Sequence, residues 1–139
     1  MTRLNPYLTL AGRCREALDF YQQCLGGEVV ALMTHADANM EVPQGYEHYI
    51  VHAEFRSGDL CLMLSDGIPG RETVNGNRVQ LCLSFEDPSE QTRVFDALAE
   101  EGKITMVLHD AFWGDRFGML TDRFGFQWML NCPPVQARP

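Results

Sequence analysis

The chain has 139 residues, 45% of them hydrophobic, which suffices for one domain or for two very small halves built around a shared core. Its 11 basic and 19 acidic residues leave a net charge of −8 with no Lys/Arg cluster, unlike a phosphate-tracking nucleic-acid binder. No apolar run long enough to span a membrane occurs, and no basic-then-apolar leader opens the chain. A cytoplasmic protein with neither nucleic-acid nor membrane partners is expected.

Residues 5–10 read as a first strand. Ala17, Leu18, Tyr21 and Leu25 then recur at helical spacing, with Phe20 widening the stripe and Gly26-Gly27 supplying the stop. Residues 28–35 are β-branched and apolar, a second strand, and residues 37–47 form a loop rich in turn residues. Residues 48–56 and 60–65 make a hairpin about Ser57-Gly58-Asp59. Residues 66–76, with Gly67, Pro69, Gly70 and Gly76, join this half to the next.

Residues 79–85 alternate as a strand, and Glu86 or Asp87 caps a helix with Pro88 in its first turn. Val94, Phe95, Leu98 and Ala99 form the buried stripe of that helix, and Gly102 closes it. Residues 103–108 are the next strand, residues 119–121 and 126–131 a last hairpin, and residues 133–139 an extended or disordered tail. Cys14, Cys24, Cys61, Cys82 and Cys132 are odd in number and lack a C-x-x-C pair, as expected of reduced, mostly buried thiols.

Shifting the sequence by 75 positions lays Leu8 on Leu83, Leu10 on Phe85, Phe20 on Phe95, Gly27 on Gly102 and Val29 on Ile104. One βαβββ unit is written twice, so the expected fold is α+β, two paired βαβββ modules forming a curved sheet around a cavity. Residues 1–70 make the first module and residues 71–139 the second, within one structural domain.

Strand alternation assigns faces. Leu60, Leu62 and Leu64 suit packing under a helix, which turns Cys61, Met63 and Ser65 the other way; Gln80, Cys82 and Ser84 oppose Leu81, Leu83 and Phe85. Gln127, Met129 and Asn131 oppose Phe126, Trp128 and Leu130, and His48, His52, Glu54 and Arg56 share one face of their strand. Soft apolar side chains mixed with a few polar groups make a plausible small-molecule lining.

The chain resembles the vicinal-oxygen-chelate superfamily, the glyoxalase/bleomycin-resistance fold, and within it the PhnB-like group. The residues that carry the resemblance span nearly the whole chain. They are Asn5-Pro6-Tyr7-Leu8, Glu16 to Tyr21, Leu25-Gly26-Gly27, His52-Ala53-Glu54, Leu62 to Asp66, Phe112-Trp113-Gly114 with Arg116 and Gly118, and Asp122-Arg123-Phe124-Gly125 with Trp128. The resemblance implies four metal-ligand positions, one on the first and one on the last strand of each half. They fall on Pro6, Met63, Gln80 and Met129, none of which is a histidine or carboxylate. Hard and borderline divalent metals favour imidazole and carboxylate, so no metal and no cofactor are expected. No glycine-rich strand-turn-helix element supports the methyltransferase label attached to some group members. The resemblance also implies a homodimer.

Met63, Gln80, Cys82, Arg116 and Met129 are the candidate ligand-binding residues, Arg116 as a fork for an anionic group. His52 and Glu54, two apart on one strand face, are the candidate catalytic pair, a base beside a carboxylate. Two readings stay open. One is a metal-free protein that binds a small molecule. The other is a lyase-, isomerase- or transferase-type enzyme using His52 and Glu54, or a relocated metal site with a third ligand such as His109.

Overall fold

Glycines set where the first helix starts and stops. Ala11 and Gly12 both have positive φ, 48° and 98°, and turn the chain from β1 (Tyr7–Thr9) into α1 (Cys14–Leu25). Gly26 and Gly27, at φ 71° and 89°, end the helix. A Cβ on Gly27 would lie 2.2 Å from the Arg56 carbonyl oxygen, so only glycine fits there. The computed structural model describes residues 2–134 and divides into two compact units at Val74/Asn75. The expected tail beyond residue 134 lies outside the described residues.

The first unit adds β2 (Glu28–Thr34), β3 (Ile50–Ser57) and β4 (Leu60–Ser65), in sheet order β1-β4-β3-β2. β1 runs parallel to β4, and the other neighbours are antiparallel. α1 buries Cys14, Ala17, Leu18, Phe20, Tyr21 and Cys24, while the sheet buries Ala53, Phe55, Leu62 and Leu64. Each large side chain so buried contributes about 1.5–3 kcal/mol. The β2–β3 register shifts twice, once where Val51 is the extra residue between Ile50 and His52.

The second unit contains β5 (Leu81–Ser84), α2 (Pro88–Ala99), β6 (Lys103–Asp110), β7 (Arg116–Thr121) and β8 (Gln127–Cys132). Its sheet order, β5-β8-β7-β6 with β5 parallel to β8, repeats the first unit strand for strand. The fold is α+β, two βαβββ modules, each an open four-stranded sheet with one helix. Asp87 caps α2 by accepting from the Ser89 N–H at 2.9 Å, with Pro88 in the first turn.

Several strand boundaries differ from expectation by one to three residues, among them the starts of β3, β5 and β7. β3 begins at Ile50, because Tyr49 N–H bonds back to the Tyr46 carbonyl in a turn. β5 begins at Leu81. β7 begins at Arg116, because its ladder with β8 runs on through Gly118 to the Arg116–Cys132 pair.

Candidate small-molecule site

On β4, Leu62 and Leu64 are buried while Met63 between them is half-exposed on the other face. On β3, Ala53 and Phe55 are buried and His52 and Glu54 alternate with them. The register lines up Tyr7, Met63, Glu54 and Ala31 as neighbours across the four strands of the first sheet. Tyr7 Oη and His52 Nδ1 share a 3.0 Å hydrogen bond, their rings 5.7 Å apart. Glu54 accepts from Arg56 Nε at 3.2 Å. His52 and Glu54 therefore bond different neighbours, and Nε2 of His52 has no partner among the described residues. A ring held at one nitrogen and open at the other is oriented to meet a ligand atom or to carry a proton.

In the second unit Met129 pairs with Cys82 on one side and Met119 on the other. Cys82 is exposed, yet partial burial of its thiol still pushes its pKa up. Gln80 stands immediately before β5, its Oε1 buried and without a partner among the described residues.

Arg116 lies apart from this group. It pairs with buried Cys132, and its Nη1 donates to the Pro88 carbonyl at 3.1 Å and to Gln91 Oε1 at 3.0 Å. Gln91, fully buried on α2, donates in return to the carbonyls of Arg116 (2.9 Å) and Leu130 (3.1 Å). This network fastens α2 to β7 and β8. Within the first unit His52, Glu54 and Met63 share one face of the sheet; within the second, Cys82 and Met129 are paired across β5 and β8 with Gln80 just before β5, and Arg116 is bonded to α2.

The metal positions implied by the superfamily do not fit a Lewis-acidic cation. Pro6 offers only its carbonyl, which accepts the Met63 N–H at 3.0 Å, and two thioethers with one amide complete a donor set poorly matched to zinc or nickel. Among the described residues no three His, Cys, Asp or Glu side chains gather as a metal-binding group. His109 belongs to the second unit, where its Nδ1 donates to the Val107 carbonyl at 2.8 Å.

Four residues with structural or site roles escape a reading of spacing alone, or are only half read by it. Gln91 sits four positions before Phe95, inside the apolar stripe of α2, and a polar residue there is the available signal. Asp66 is legible as a cap, but its partners lie far away in sequence. Asp122 explains the D-x-F-G-x-x-W motif. Its Oδ1 accepts from the Phe124 and Phe126 N–H groups and its Oδ2 from Trp128 Nε1 at 2.8 Å, so the motif builds a turn over the buried indole. His35, buried at the end of β2, carries no sequence signal at all.

A family model described as Glyoxalase/Bleomycin resistance protein/Dioxygenase superfamily matches residues 3–130. Protein YjdN of Escherichia coli (strain K12) is 35% identical, over 96% of this chain and 97% of its own length. The crystal structure of protein PA1353 from Pseudomonas aeruginosa superposes with a TM-score of 0.84 at 37% identity, covering 96% of this chain and 98% of that one. A Bacillus cereus structure bearing the names PhnB and 3-demethylubiquinone-9 3-methyltransferase gives a TM-score of 0.79 at 26% identity, over 94% and 99% of the two chains.

Proposed function

Because the chain belongs to the Glyoxalase/Bleomycin resistance protein/Dioxygenase superfamily and to its PhnB-like group, we propose that it binds a small organic molecule without the superfamily's metal centre. The binding surface is the face of the first sheet that carries Met63, His52 and Glu54; in the second unit the ligand-binding residues are Gln80, Cys82 and Met129. The observation that supports this most is the pairing of adaptable thioethers with a few oriented polar groups: Met63 beside Glu54, His52 held by Tyr7, Met129 beside Cys82. The protein acts as a homodimer, as members of the superfamily often do, and a reducing cytoplasm suits its five free cysteines.

The enzyme reading is favoured by one feature, the Tyr7–His52 hydrogen bond, which would orient His52 as a general base. Native mass spectrometry with elemental analysis, repeated after prolonged incubation, separates the two, since an enzyme converts the bound compound and binding leaves it unchanged. Binding without metal predicts an organic adduct and less than about one transition metal per ten chains. Stoichiometric zinc or nickel that disappears in His52→Ala would overturn the metal-free reading and establish a relocated metal site.

A further inference from the structure

Beyond the His52–Glu54–Met63 face, the first unit holds a pocket of about 350 Å³ between the connection that follows β2 and the segment that follows β4. The connection is pinned at its base: His35 N–H bonds to the Tyr49 carbonyl, Ala36 N–H to Glu47, and Met40 N–H to the His35 carbonyl, at 2.9–3.1 Å. Met40, Val42, Pro43, Val51, Ile68 and Pro69 give the pocket apolar walls. His35 also lines it. The ring is 1% exposed, and both Nδ1 and Nε2 are buried without a hydrogen-bond partner among the described residues. Buried polar atoms are nearly always satisfied, so an imidazole with two unmet nitrogens beside a pocket marks a place for a ligand.

We propose that this pocket is a second ligand site, for a neutral molecule of about one substituted ring that places a hydroxyl on the His35 imidazole. An imidazole offers one N–H donor and one lone pair, and a hydroxyl both donates and accepts, so it matches either tautomer. Ser65 Oγ does not compete, since it donates to the Ile50 carbonyl and accepts the Gly67 N–H. A carboxylate ligand is disfavoured: Glu41 lines the pocket and no Lys or Arg does. A metal ion would find one imidazole and one carboxylate, short of the three protein ligands usual for a catalytic zinc. A cavity of about 150 Å³ takes benzene, so the volume here accommodates a ring with substituents. The pocket adjoins the Met63 face through Ser65, two residues further along β4, but His52, Glu54 and Met63 do not line it, so Ile68→Trp and Met63→Trp test the two sites separately.

Titration with phenol, monitored at the imidazole nitrogens by NMR, tests the site. Saturable shifts of the His35 resonances are expected. His35→Phe should weaken phenol binding roughly five- to tenfold, the loss of one hydrogen bond. Ile68→Trp, at a residue 60% exposed and therefore safe for folding, should fill the pocket and abolish binding; this variant decides the matter if His35→Phe fails to fold. Absence of saturation by phenol, equal affinity in wild type and Ile68→Trp, or benzoate bound as tightly as phenol would each overturn the proposal.

Discussion

Asp66 holds three backbone donors with one carboxylate: Oδ1 accepts from Gly12 (2.9 Å) and Cys14 (2.8 Å), Oδ2 from Ile50 (2.8 Å). Arg13, at the N-cap position of α1, makes no side-chain cap bond, so Asp66 at the end of β4 caps α1 from a distance and ties β3 to it. Asp66→Ala should destabilise the protein by about 3 kcal/mol or more in urea unfolding, with Asp66→Asn intermediate, because buried N–H groups then lose a charged acceptor. An aspartate after an apolar strand reads as a cap in the sequence; which helix it caps does not, because the partner lies about 50 residues upstream. Cys14 beside it is a second residue-scale case. Burial, and then the Asp66 carboxylate, push the Cys14 thiol up to about 12 from 9.0. Between those values the native thiol keeps its proton while the unfolded one loses it, so stability is fully present below about pH 9 and falls as pH rises towards 12. At pH 8 a thiol reagent should label exposed Cys82 first and Cys14 only on unfolding; rapid native labelling of Cys14, followed by peptide mass mapping, would contradict its burial.

At the scale of elements, helix-to-sheet distance depends on small residues in the strands. A Cβ on Gly118 would come 2.8 Å from Phe95 Cε2 and 2.9 Å from Leu108 Cδ2, so Gly118→Ala should cost about 1–3 kcal/mol by thermal melt. Gly27→Ala should cost more, since its obstacle is the Arg56 backbone and its φ is 89°. Period-two alternation was readable directly: Leu62 and Leu64 against Met63, Trp128 and Leu130 against Met129. The boundaries were less so. Arg116 opens β7, whose ladder with β8 runs on through Gly118, and its Nη1 reaches Gln91 and the Pro88 carbonyl on α2, contacts that spacing does not show. Spacing shows which residues share a strand face. It does not show what a long polar side chain reaches for: His52 bonds to Tyr7, and Glu54 to Arg56.

For the whole molecule, the repeat was the most legible property, because both units need the same apolar positions to cover the same kind of sheet with the same kind of helix. The pocket beside His35 was not legible, since it exists only once the chain between β2 and β3 returns to the end of β4. Both sheets end in strands with exposed apolar side chains, Val29, Val30, Leu32 and Met33 on β2 and Ile104, Met106 and Val107 on β6. Monomeric proteins usually guard such edges. Sedimentation equilibrium should therefore find a dimer, with Val30→Lys shifted towards monomer; a wild-type chain that stays monomeric at tens of micromolar would remove the dimer from the account. The claim that a small molecule binds beside Met63 meets its most direct test in equilibrium dialysis against a metabolite extract. Wild type is compared with Met63→Trp, and bound compounds are identified by mass spectrometry. The account predicts that wild type retains a compound unchanged and in stoichiometric amount, while folded Met63→Trp retains none. Equal retention by Met63→Trp, or recovery of the compound as a converted product, would contradict it.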